Sequence, residues 1–132
     1  MKPVSRPTPD TQEWFDLIDR EQLTVPRCRS CEGYFLYPRM CCPRCASRDL
    51  ELVPASGTGA IASLVVNHRG PGDFAEDAPY AIALVRLAEG PLLMANVAVD
   101  DPAGLEVDQP VRAVFERRGD RRVVQFVPEV SA

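Results

Sequence analysis

The stretch CRSCEGYFLYPRMCCPRC, residues 28–45, decides how the rest of the chain is read. Its cysteines fall as C-x2-C-x10-C-x2-C when Cys28, Cys31, Cys42 and Cys45 are taken together. A C-x2-C pair folds into a tight knuckle in which two sulfurs and nearby turn amides converge on one point. Two such knuckles supply the four thiolates of a tetrahedral Zn²⁺ site. Pro43 suits a turn position inside the second knuckle. The intervening Tyr34-Phe35-Leu36-Tyr37 reads as a β-hairpin arm of a zinc ribbon. Cys41 is a spare: pairing it with Cys45 would give C-x3-C, a poorer knuckle, so it reads as a free thiol beside the site. Four cysteine ligands leave no open coordination position. The metal therefore has a structural role, holding a segment with too little apolar mass to fold alone, and no role in activating water.

Working outward, the surrounding 132 residues are enough for one ordinary domain or a small one with an appendage. The formal net charge of −4 opposes general nucleic-acid affinity, yet the charge is uneven. Residues 27–48 carry Arg27, Arg29, Arg39, Arg44 and Arg48 against Glu32 alone. No apolar run approaches the roughly 20 residues that span a bilayer, so no membrane association is expected. The N-terminus lacks the apolar stretch of a secretory signal, and the chain reads as cytoplasmic. In that compartment paired cysteines favour metal over disulfides.

Before the ribbon, residues 1–9 read as a mobile or draped arm rich in proline. Residues 10–22 read as a short helix, with Asp10 as cap and Glu13 in capping-box position. Trp14, Leu17 and Ile18 share one face, with Phe15 at its border. After the ribbon the pattern turns to strands. Leu50, Leu52 and Val53 begin it, Gly57 to Gly59 mark a turn, and Ala60 to Val66 run apolar. Residues 67–79 read as a loop. Tyr80 to Leu87 and Leu92 to Val99 read as a hairpin across Glu89-Gly90-Pro91. After a second loop, Val111 to Arg117 and the run around Val123 to Val127 complete a set of about five strands. The expectation is a mainly β protein: an N-terminal arm and helix over 1–25, a zinc ribbon over 26–48, and a five-stranded OB-fold barrel over 49–132. A sandwich is the competing architecture.

No catalytic constellation is found: no phosphate-cradling glycine loop and no nucleophile elbow. His68 is the one histidine and falls in a loop. It would have to serve alone in a free-standing hydrolase, so that reading is set aside.

In this order, helix, ribbon and barrel resemble the acyl-CoA-associated OB-fold proteins with a rubredoxin-like zinc ribbon, a former domain-of-unknown-function family. The likeness runs from about Thr11 to Pro128. It rests on Cys28-x2-Cys31-Glu32-Gly33 and on Tyr37-Pro38-Arg39-Met40-Cys41-Cys42-Pro43-Arg44-Cys45. Further matches are Gly57-Thr58-Gly59, Pro79 to Val85, Leu92 to Val97, Val111 to Glu116 and Phe126-Val127-Pro128. One departure is Asp108-Gln109-Pro110, where the family usually has a glycine. The resemblance implies a non-catalytic accessory subunit in a hetero-oligomer with a thiolase-like enzyme: a thiolase, a hydroxymethylglutaryl-CoA synthase or a steroid side-chain aldolase. The partner would hold the catalytic residues. A MaoC-like acyl-CoA hydratase is the alternative partner, and a nucleic-acid-binding ribbon and barrel is the second alternative. A coenzyme A thioester shared with the partner would need cations for its phosphates, for which Arg39, Arg44 and Arg69 are the candidates.

Overall fold

The computed structural model describes Lys2 and residues 4–129; Met1 and Pro3 of the arm, and residues 130–132, lie outside it. The first element is helix α1, Gln12–Asp19. Trp14 and Ile18, one turn apart, are its buried residues, which is the spacing that gives a short helix one apolar face. Its start differs from expectation. Thr11 stands at the N-cap with no side-chain cap hydrogen bond, and the Asp10 carboxylate accepts from the Thr8 hydroxyl instead. The Thr8 amide is bonded to the Thr11 hydroxyl, so this turn satisfies itself before the helix begins. The helix also ends earlier than residue 22. Glu21 takes φ +60°, and the amides of Glu21 and Gln22 return to the Ile18 and Leu17 carbonyls, which closes the last turn.

Strands β1, Thr24–Cys28, and β2, Leu50–Pro54, pair antiparallel from Thr24↔Pro54 to Cys28↔Leu50. The ribbon is the excursion between them. Pairing fixes Cys28 at the end of one strand and returns the chain beside it after the second knuckle. The expected hairpin arm over Tyr34–Tyr37 is not a strand; only one bridge, Tyr34 to Arg27, is formed. The aromatics there serve packing. Phe35 is buried, and Tyr37 meets the Trp14 ring edge-on at 5.9 Å.

Five strands then close a barrel in the order β3-β4-β5-β7-β6: β3 Thr58–Asn67, β4 Tyr80–Leu87, β5 Leu92–Val97, β6 Pro110–Arg118 and β7 Arg121–Pro128. This Greek-key closure is the OB-fold. Alternation drives it. Along β4 the residues Ala81, Ala83, Val85 and Leu87 are buried while those between them are not. Ile61, Leu93, Val111 and Phe126 meet them inside.

All neighbouring pairs in the barrel are antiparallel except β5 and β7, which are parallel and register only at Val97↔Phe126. There the barrel has a seam, and the N-terminal elements close it. Asp19 of α1 accepts the Arg122 amide of β7 at 2.9 Å and pairs with the Arg121 guanidinium at 2.8 Å. On the other side the Tyr37 hydroxyl accepts the Met94 amide of β5 at 3.2 Å. Trp14 Nε1 donates to the Thr24 carbonyl at 2.8 Å, so one helix ties β1 to the barrel. The arm is draped: Lys2 pairs with Asp77 and Glu116, and Val4, Ser5 and Arg6 lie along the seam.

Candidate metal centre

The two knuckles have the same backbone. The Cys28 amide donates to the Gly33 carbonyl at 2.9 Å, and the Cys42 amide to the Ser47 carbonyl at 2.8 Å, five residues on in each case. Glu32 and Ala46, each directly after a second cysteine, take φ +62° and +63°. The repeat brings the four sulfurs of Cys28, Cys31, Cys42 and Cys45 within 4.8 Å of one another. The closest approaches are 3.5 Å for Cys28–Cys45 and 3.7 Å for Cys31–Cys42. A tetrahedron with Zn–S bonds of about 2.3 Å has S···S edges of about 3.8 Å, so the donor set fits this ion in size and shape. Cys28 and Cys42 are buried; Cys31 and Cys45 are exposed.

Backbone amides prepare the thiolates. The Cys31 amide bonds Cys28 Sγ at 3.5 Å, and the Arg44 amide bonds Cys42 Sγ at 3.4 Å. The first of these, opposed by burial, is the main cause that lowers the Cys28 thiol from 9.0 to about 6. Cys42 is also lowered, first by the Cys45 amide and then by that of Arg44. Cys45 goes the other way, up to about 12: the Ser47 amide lowers it, but Cys28, burial, Cys42 and Cys31 together outweigh that. Crowded thiolates resist ionising together, and a divalent cation at their centre removes that resistance. Cys41 is exposed and outside the sulfur cluster.

The arginines divide into two groups. Arg27 is paired with Glu51 at 3.2 Å and Glu32 at 3.6 Å; Arg29 is paired with Asp49 at 2.8 Å and Glu51 at 3.1 Å. These two brace the β1–β2 sheet. Arg39, Arg44, Arg48 and Arg69 are exposed, and among the described residues no ion pair holds them. The Arg44 guanidinium lies over Gly33, where an added Cβ would meet Nη1 at 2.6 Å. Arg39 sits beside the groove that also holds Asp10 and Glu13. Arg69 and His68 are on the β3–β4 connection, both exposed.

The seam escaped sequence reading. Beneath the arm it holds a cavity of about 570 Å³ lined by Val4, Trp14, Phe15, Tyr37, Met94 and Val124, among others. The apolar face of α1 was the one signal of it.

Residues 15–51 match the family described as ChsH2, rubredoxin-like zinc ribbon domain, and residues 52–116 match ChsH2, C-terminal OB-fold domain. A DUF35 domain-containing scaffold protein of Methanothermobacter thermautotrophicus is 32% identical over 123 residues, covering 90% of this chain and 92% of the relative. A probable enoyl-CoA hydratase alpha subunit of Thermomonospora curvata is 37% identical over 110 residues; these are 80% of this chain but 34% of that protein, so the chain spans about a third of this relative. Among solved structures, a chain of the Ltp2-ChsH2(DUF35) aldolase superposes with a TM-score of 0.88 at 32% identity, covering 96% of this chain and all of the other.

Proposed function

This chain belongs to the DUF35 family of ribbon-and-barrel proteins, and from that premise we propose that it is a non-catalytic accessory subunit of a thiolase-superfamily acyl-CoA enzyme. The observation that carries the reading is the full-length likeness to a chain of an aldolase assembly. Two features support it. The cysteine cluster is closed, so a Zn²⁺ held there folds the ribbon and offers no site to substrate. Among the described residues, His68 and the carboxylates form no group of three or more that converges on one point. A steroid side-chain aldolase, a thiolase or a hydroxymethylglutaryl-CoA synthase is the class of partner. The catalytic groups then reside in that enzyme, and a coenzyme A thioester lies where the two subunits meet. Arg39, Arg44 and Arg69 are exposed, no ion pair holds them among the described residues, and they are the cations assigned to its phosphates.

The second reading, an accessory subunit of a MaoC-like acyl-CoA hydratase, is favoured by the Thermomonospora relative. Nucleic-acid binding is opposed by charge and by shape. OB-folds that bind oligonucleotides use one sheet face and two flanking loops. Here β6 and β7 are joined through Gly119 and Asp120 alone, so one of those loops is reduced to a turn. The corresponding face of β4 and β5 carries a single cation, Arg86.

Co-expression with a thiolase-like enzyme, or with a MaoC-like hydratase, each encoded beside this chain, followed by affinity purification on this chain tests the reading. Retention of the thiolase-like enzyme at fixed stoichiometry is the expected result. Retention of the hydratase alone selects the second reading. Retention of neither overturns both, and acyl-CoA turnover by this chain alone would do so as well.

A further inference from the structure

The outer face of the barrel at β3, β4 and β5 breaks the rule that the solvent side of an antiparallel sheet is polar. Register shows which side chains lie on it. Ala81, Ala83 and Val85 point inward, so Ile82, Leu84 and Arg86 point outward. Their neighbours across the sheet are Val65 and Asn96 for Ile82, Ser63 and Met94 for Leu84, and Ala60 and Leu92 for Arg86. Val65 is 62% exposed, Met94 60% and Leu92 38%. Tyr37, 44% exposed, extends the patch onto the ribbon, because its hydroxyl is bonded to the Met94 amide. An apolar patch, with Ser63, Asn96 and Arg86 set among its members, therefore crosses three strands to the ribbon loop. Scattered exposed side chains need no explanation, but exposed apolar side chains grouped in one patch and rimmed by polar ones point to a docking surface.

Building on the accessory-subunit reading, we propose that the catalytic partner docks on this face, with Val65, Leu84, Met94, Leu92 and Tyr37 at the centre of the contact. Charge selects the occupant. The outward positions of these strand segments carry no carboxylate, in a chain with 19 acidic residues, and one cation, Arg86. A phosphate backbone or an anionic lipid surface would need a cluster of cations there. What fits is a folded protein with an apolar patch and a carboxylate at its edge facing Arg86. Methionine and tyrosine are enriched in such contacts, and the unbranched thioether of methionine adapts its shape to a partner.

The experiment uses the full chain with its candidate enzyme partner. Val65→Asp and Met94→Asp change side chains that are largely in solvent, and Val107→Asp, 55% exposed on the connection before β6, is the control. Melting temperature and zinc content of each variant alone are expected to stay at wild-type values. Affinity for the partner is expected to fall about tenfold or more for Val65→Asp and Met94→Asp, and to stay unchanged for Val107→Asp. If the wild-type chain holds the enzyme and both face variants hold it equally well, the docking face is wrong and the accessory reading stands. If the wild-type chain holds neither a thiolase-like enzyme nor a hydratase, the accessory reading fails and this proposal with it.

Discussion

From Cys28 to Arg48 the ribbon buries only Cys28, Phe35, Pro38 and Cys42, and two of these four are members of the sulfur cluster. The barrel buries Ile61, Ala81, Ala83, Val85, Leu87, Leu93, Val97, Val111, Val124 and Phe126 in one cluster. One region thus concentrates its stability at a point, and the other distributes it over a volume. A single change at the point should abolish the ribbon, whereas the barrel should lose stability in proportion to what is removed. The two meet at the Tyr37–Met94 hydrogen bond and through one apolar cluster, in which Trp14, Ile18, Leu23 and Val25 join the barrel interior and Tyr34 and Leu36 pack against it.

The largest expected effect is loss of a ligand. One zinc per chain is expected by elemental analysis. Cys28→Ser or Cys42→Ser should release it, withdrawing binding energy on the order of 10–16 kcal/mol from the ribbon. Hydrogen exchange should then become fast over residues 26–54 while the barrel stays protected. Barrel exchange that accelerates equally would mean that the two regions unfold as one. Next comes Phe126→Ala at the fully buried centre of the barrel, expected to cost about 3–5 kcal/mol in urea unfolding without loss of zinc. Asp19→Ala leaves the Arg122 amide of the seam without its partner and should cost about 1–3 kcal/mol, with local exchange at β7 as the diagnostic.

Smaller still are substitutions that ask whether either region faces coenzyme A. In the assembled complex, Arg44→Ala and Arg39→Ala probe the ribbon and Arg69→Ala the barrel. Loss of one phosphate contact should raise KM about tenfold, or about 1.4 kcal/mol. If all three keep KM within about twofold, the subunit does not touch the nucleotide end. The least effect belongs to Cys41→Ser, which should retain zinc and stay within about 0.5 kcal/mol of wild type, because its thiol is exposed and outside the cluster.

Spacing alone picked out the four cysteines whose sulfurs converge. The span of a C-x2-C knuckle is fixed by covalent geometry and needs no distant residue. The barrel strands were legible for a similar reason: alternation of apolar side chains along Tyr80–Leu87 is a local property, and its period of two excludes helix. The helix was legible in its apolar face but not in its ends, because Thr8 and Thr11 occupy the groups that a cap at Asp10 would have used.

Other features were beyond local reading. Strand β1 holds Pro26 and has few residues to alternate, so it became a strand only because Leu50–Pro54 returned beside it. Tyr34–Tyr37 has the composition of a strand, but Phe35 and Tyr37 are drawn into packing against other elements, which a two-stranded arm could not offer. Arg27 and Arg29 were indistinguishable from Arg39 and Arg44 until Glu51 and Asp49 came within reach. The sequence by itself determined which four cysteines converge, the alternating strands and the order of ribbon before barrel. Only the tertiary structure decided how the seam closes, because Asp19 and Arg122 lie 103 residues apart and meet only after helix and barrel have each buried their apolar faces.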